Sequence, residues 1–299
     1  MEIKKTCRFL ILVFLVLSLL FYSLYLAEIE NRTKIPDELI YGVVENLSKS
    51  GIEINSSIID ANMPEKDIYY FEIESLKEYN MKIAESISFG VFGKDILTTE
   101  FDTPEGSAIG ILNGDDSKRE LGRILFYEND SSFAFSKNGV NMQYGDEPII
   151  NMQTDSIDEV LLSDIDRIIS GMADDSELGY RISGSSSSDD FIIVTAMQTI
   201  DGYDINDSFI NFVYSNDNLV IMRGKWIMGN PKAKYHNTLL DGVNVLYKLN
   251  LEQVKSILSE EVVYSLRISE NGKCFILPCW RIEYTDKNDN IKTSFFDAL

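Results

Sequence analysis

Residues 205–227 read INDSFINFVYSNDNLVIMRGKWI, two apolar-rich runs separated by the polar stretch Ser215–Asn218. Ser, Asn and Asp at such a break are turn formers, so the segment is read as a β-hairpin. Directly upstream, residues 180–202 (YRISGSSSSDDFIIVTAMQTIDG) give a second hairpin whose loop is the Gly-Ser-Asp run at 184–190. Before it, DSIDEVLLSDIDRIISGM at 155–172 has the helical period, with Ile157, Val160, Leu161, Ile165, Ile168 and Ile169 on one side. Asp155, Asp158 and Glu159 suit the positive end of that helix dipole. On the other flank, Leu239–Leu258 is expected to form a helix interrupted near Asn250, and residues 268–299 close the chain as strands around two polar turns.

The N-terminal side repeats this alternation. Residues 35–49 carry Leu39, Ile40, Val43, Val44 and Leu47 at helical spacing, with Pro36, Asp37 and Glu38 in the first turn and Gly51 as the stop. GIEINSSII at 51–59 alternates as a strand, and DIYYFEIESL at 67–76 continues as one with Tyr69, Phe71 and Ile73 on one face. KEYNMKIAESIS at 77–88 is a helix ending before Gly90, followed by the short strands DILTTEF, SAIGILN, ELGRILFYEN and SSFAFSK. Residues 145–155 read as a connection. Helices alternating with runs of strands indicate an α+β fold of antiparallel sheets packed with a few helices. Two related halves, 28–150 and 151–299, fit this order, although no self-match at a fixed period accompanies them.

Ahead of both halves, residues 9–27 (FLILVFLVLSLLFYSLYLA) are nineteen residues without a charge. At about 1.5 Å per residue they span roughly the 30 Å hydrocarbon core of a bilayer. Lys4, Lys5 and Arg8 precede the run and Glu28 and Glu30 follow it, so residues 1–8 are expected in the cytoplasm and everything after Ala27 outside it. A cleavable signal peptide would need a shorter apolar run and small residues at −3 and −1, and cutting after Ala27 puts Tyr25 at −3. An uncut anchor in the cell membrane is therefore expected. Within it, Ser23 and Ala27, four apart near the outer end, form a candidate helix-packing face.

The 299 residues carry a formal net charge of −21, and 44% of them are hydrophobic. Residues 1–27 hold a net of +2, which leaves −23 on the remainder. A field of that sign repels phosphate backbones, so no nucleic acid is expected as a partner. Cys7 falls on the cytoplasmic side. Cys274 and Cys279 lie in an extended segment at an odd offset, which points them to opposite faces, so two buried free thiols are expected unless Pro278 bends the chain.

Residues suited to chemistry are few. His236 is the one histidine, in the loop NPKAKYHNT, and neither a zinc spacing nor a G-x-S-x-G elbow accompanies it. FGVFGK at 89–94 fails the phosphate-loop spacing, and its glycines are read as ending the preceding helix. Asp286, Asn288 and Asn290 begin like a calcium loop, but Ile291 stands where glycine is needed, so a polar hairpin turn is expected. The expectation is a binding protein, not an enzyme, with no cofactor and no metal.

Three features together resemble the YycH/YycI family of bacterial membrane proteins, YycI in particular. They are the basic N-terminus followed by one helix; the segment VVENLSKSGIEINSSIIDANMPEKDIYYFEI at 43–73; and a distal half carrying Gln198, Gly202, Ile205, Trp226, Pro278, Trp280 and Arg281. The resemblance spans the chain, with residues 80–190 contributing little. It implies an accessory protein that contacts the sensor histidine kinase WalK, or a sister YycH-like protein, through the membrane helix and the external domain. It implies no catalytic residues. The alternative is an envelope-assembly or sporulation-related binding protein without a signalling role.

Overall fold

The computed structural model describes residues 14–25, 34–60, 65–72, 76–93, 96–103, 106–115, 119–127, 132–138, 140, 157–172, 177–188, 190–268 and 273–299. It is a mixed α+β protein, dominated by sheet with few helices. The chain divides into two compact units, each discontinuous in sequence. The smaller comprises residues 1–66, 237–261 and 279–299, and the larger residues 67–236 and 262–278. Neither coincides with residues 28–150 or 151–299.

Residues 14–25 form helix α1, exposed along its length. Twelve residues cover about 18 Å, and no helix among the described residues is long and apolar enough to cross a membrane. Residues 9–13 and 26–27 of the expected anchor lie outside the described residues, as does the connection at 145–155.

In the smaller unit, helix α2 (Asp37–Lys49) buries Ile40, Val43 and Leu47 and has Asp37 and Glu38 in its first turn. Gly51, at φ +79°, turns the chain at its end while the Ile52 N–H donates to the Leu47 carbonyl at 3.0 Å. Leu39, expected on the apolar side, is exposed. The alternation at 51–59 does not become a strand. Glu53 makes an isolated parallel bridge to Ser256, and Ser56–Ile58 is a 3₁₀ turn started by Asn55, whose side-chain oxygen accepts from the Ser57 N–H. Local Asn and Ser bonds compete here with ladder pairing.

The helix expected over 239–258 is likewise corrected. Only Gly242–Leu246 is helical (α5), and Val254–Ile268 is strand β11. The physical reason lies in burial. Leu251, Val254 and Leu258 fall at helical spacing in the sequence, but in the strand the buried residues of the first seven are Val254, Ile257 and Glu260, while Leu258 is exposed. β12 (Lys273–Asp286) and β13 (Ile291–Asp297) pair in register from Cys279↔Asp297 to Thr285↔Ile291. Asp286 makes their turn, its Oδ1 accepting from the N–H groups of Asn288 at 2.8 Å and Asn290 at 2.9 Å. The buried Trp280 indole donates to the Leu240 carbonyl at 2.9 Å, and Cys279 is a buried free thiol.

The larger unit holds β1 (Glu65–Glu72), β2 (Ile96–Thr103), β3 (Gly106–Asn113), β4 (Glu120–Tyr127), β5 (Phe133–Lys137), β6 (Leu178–Ser187), β7 (Ile192–Ile200), β8 (Tyr203–Ser215), β9 (Asn218–Lys225) and β10 (Lys232–Thr238). β1 and β10 each have two residues in the smaller unit, and β11 and β12 are likewise shared. Hydrogen-bonded neighbours run β10-β1-β12-β11-β8-β9-β5-β4-β3-β2, with β7 on β8 and β6 on β7. The β8–β9 hairpin turns at Asn216 (φ +49°) and Asp217 (φ +59°), residue types that tolerate the left-handed region a tight hairpin requires. The β6–β7 loop is shorter than the Gly-Ser-Asp run, because β6 continues to Ser187.

Helices α3 (Leu76–Phe92) and α4 (Glu159–Met172) cover one face of the β3–β4–β5–β9–β8–β7 strands. Ile83 and Ile87 from α3 and Leu161, Ile165 and Ile168 from α4 join Phe133, Phe135 and Phe212 in one core. Val160, expected on that face, is exposed. Gly90 lies inside α3 instead of ending it, and Gly93, at φ +80°, is the glycine that stops it.

Candidate functional site

Beside the N-terminal turns of α3 the helix leaves part of the sheet uncovered, and the result is a groove of about 300 Å³. Its construction follows from strand register. Glu100 pairs with Ile109 and Asp102 with Ser107 across β2–β3, while Ser107 pairs with Phe126 and Ile109 with Ile124 across β3–β4. Successive side chains alternate between faces, so Glu100, Asp102, Ser107, Ile109, Ile124 and Phe126 share one. It is the α3 face, because Ile109, Ile124 and Phe126 belong to the core that α3 closes.

Ile109 and Phe126 thus floor the groove, Met81 and Asn80 of α3 wall it, and Lys77, Glu100, Asp102 and Ser107 form its rim. Lys77 Nζ stands 2.7 Å from Glu100 Oε2. The bond to Glu100, and the Glu100 and Asp102 charges, raise the Lys77 pKa and keep it cationic. The rim carries two carboxylates against one ammonium, a net negative charge over an apolar floor. The volume lies at the lower bound of small-ligand clefts, about 300–1,000 Å³.

Other polar clusters serve the framework. Gln198 is buried with both ends of its carboxamide hydrogen-bonded: Nε2 donates to the Ile227 carbonyl at 2.9 Å, and Oε1 accepts from the Ile227 N–H at 2.9 Å and the Ser208 hydroxyl at 2.6 Å. Arg181 Nε donates to Asp204 Oδ1 at 2.6 Å. Tyr69 donates to Asp201 and stacks edge-on against Tyr264, with ring centroids 5.8 Å apart. In the smaller unit Glu260 is a different case, buried with neither carboxyl oxygen hydrogen-bonded. Burial, with Asp60 and Asp241 adding like charge, pushes its pKa up to about 8. Gly242 lies against this carboxyl, and a β-carbon there would overlap it.

The residues singled out from sequence fall elsewhere. Ser23 is exposed on α1, its hydroxyl donating to the Leu20 carbonyl at 2.8 Å, and Ala27 lies outside the described residues. His236 is not in a loop: it sits on β10, exposed, with Nδ1 2.7 Å from Asp67 Oδ1. Among the described residues no group of three or more His, Cys, Asp or Glu is arranged to hold a metal ion. The groove was missed because its members come from four segments that only the register brings together. The alternation in DILTTEF was the one available signal.

No protein family matches the chain, and no curated protein is similar to it. Among solved structures it is similar to an uncharacterized protein from Eubacterium rectale ATCC 33656, at 11% identity and a TM-score of 0.47, over 83% of this chain and 87% of that one. It is also similar to the Bacillus megaterium YpeB C-terminal domain, at 12% identity and a TM-score of 0.36, over 76% of this chain and 93% of that one.

Proposed function

We propose that this chain is a YycI-like accessory protein, held in the cell membrane by residues 9–27, whose extracytoplasmic region regulates a sensor histidine kinase by direct contact. The observation that supports a binding role is the α3–β2–β3–β4 groove, a recess with a charged rim whose base is formed by the buried Ile109 and Phe126. Such a recess takes up a side chain of a partner and orients it by the polar groups around it. In this reading Ser23 and Ala27 supply a second contact inside the bilayer, where small residues let helices approach closely. The strong negative charge keeps the region away from nucleic acid and favours a basic partner surface.

The test is a photo-crosslinking amino acid placed at Ser107 of the full chain in its native membrane, with adducts identified by mass spectrometry. An adduct with a membrane-bound histidine kinase, weakened when residues 9–27 are replaced by an unrelated apolar helix, is the expected result. Recovery of wall-assembly proteins alone would favour the envelope-assembly role instead, and recovery of nothing would remove the groove from the argument.

A further inference from the structure

Resting on the reading of the groove as a recognition site, we infer that its occupant is an extended basic segment of the partner protein, which adds to the edge of β2 and places an apolar side chain over the groove. Three observations meet at one place. β2 ends the hydrogen-bonded order, and among the described residues β3 is its one strand partner. Its outer edge therefore presents backbone N–H and C=O groups that a further strand can take up. Glu100 and Asp102 project from β2 on the groove side, two residues apart, and both are exposed. On an added strand the residues opposite them stand about 5 Å away and face the same side.

Charge decides the chemistry of those residues. Glu100 is already paired with Lys77, whereas Asp102 makes no ion pair among the described residues. An incoming Lys or Arg completes the rim at Asp102, and an incoming acidic residue meets two carboxylates. Two positions along the added strand lies the other groove-side residue, opposite Glu100, where an apolar chain such as Leu or Phe packs along the Glu100 stem at the β2 side of the groove. The fitting sequence alternates, with basic and apolar residues two apart on one face. A second copy of this acidic chain, at net −21, is the less complementary occupant.

The experiment uses the full chain in nanodiscs and a capped nine-residue peptide of alternating Thr and Val with Leu at its centre and Lys two residues on. A twin peptide carries Glu in place of Lys. Expected are binding of the Lys peptide, slowed amide exchange across residues 96–103 on saturation, and roughly three- to tenfold weaker binding of the Glu peptide. Asp102→Lys, an exposed position that leaves the core untouched, should reverse the preference, and Ser107→Trp should abolish binding by filling the mouth. Binding without protection of residues 96–103, or an unchanged preference in Asp102→Lys, overturns the inference. If no peptide protects β2 while the Ser107 crosslinker still captures a histidine kinase, the added strand is wrong and the accessory function stands. If both fail, both readings fall.

Discussion

Gly90 of α3 meets Ile168 of α4 so closely that no side chain fits between the helices. A β-carbon on Gly90 would lie 2.8 Å from Ile168 Cγ1 and 2.9 Å from its Cα. Gly90→Ala should therefore destabilise the larger unit by about 1–3 kcal/mol, the usual range for overpacking, despite a helix-propensity gain of about 1 kcal/mol. Gly171→Ala on α4 is the internal control. Its nearest neighbour would be the Ser86 carbonyl oxygen at 3.6 Å, an ordinary contact, so this change should be neutral or slightly stabilising. Urea midpoints of the two variants check the contrast, and equal effects would refute the close approach.

Glu260 makes stability depend on pH. In the unfolded chain its carboxyl titrates near the ordinary value of 4.5, while in the folded protein it holds its proton to about 8. Below 4.5 both states are protonated and nothing is lost. Between the two values the unfolded state gains by ionising, so stability falls as pH rises, by up to about 1.4 kcal/mol per pH unit, and it levels off above 8. Glu260→Gln should remove this slope. Denaturation at pH 5 and pH 8 compares the proteins, and parallel pH dependence would show that the carboxyl is not held neutral.

Replacing Gln198 by Leu should cost about 2–4 kcal/mol, because the Ile227 N–H and carbonyl and the Ser208 hydroxyl all lose their side-chain partner in a buried place. Gln198→Glu should also destabilise, since an ionised carboxylate repels the Ile227 carbonyl that the amide now binds. Thermal denaturation measures both. A loss below about 0.5 kcal/mol for Leu would mean the bonds contribute nothing net.

Cys274 and Cys279 are both buried free thiols, and burial pushes the Cys274 pKa up to about 11. A thiolate, the reactive form, is therefore scarce at neutral pH. In a Cys7→Ser variant a thiol reagent should find no fast-reacting group in the native protein and two after denaturation. One or both reacting at once in the native protein would contradict the burial.

Most strands of the larger unit were legible from turn residues that punctuate alternating runs. The β8–β9 hairpin stands where Ser215–Asn218 placed it, because Asn216 and Asp217 supply the left-handed conformations themselves. β11 was not legible, since Leu251, Val254 and Leu258 stand at helical spacing and only neighbours in the fold make a strand of Val254–Ile268. Residues 51–59 failed in the opposite sense, their alternation undone by local bonds at Asn55. The groove and Glu260 were hidden for a common reason. Glu100, Asp102 and Glu260 are three among 48 acidic residues, and nothing local tells a rim carboxylate or a buried one from a solvated one.

The interleaving of the two compact units bears on how the chain can be made. The larger unit is completed by residues 262–278, and the smaller draws residues 34–66 together with residues 237–261 and 279–299. Neither can close while the polypeptide is still emerging N-terminus first, so α2 and β1 wait for partners synthesised about 200 residues later. Closing loops of that length makes folding slow and leaves strand edges open meanwhile. Expressed without residues 1–27, residues 28–150 and residues 151–299 should each be insoluble alone and become soluble only when co-expressed.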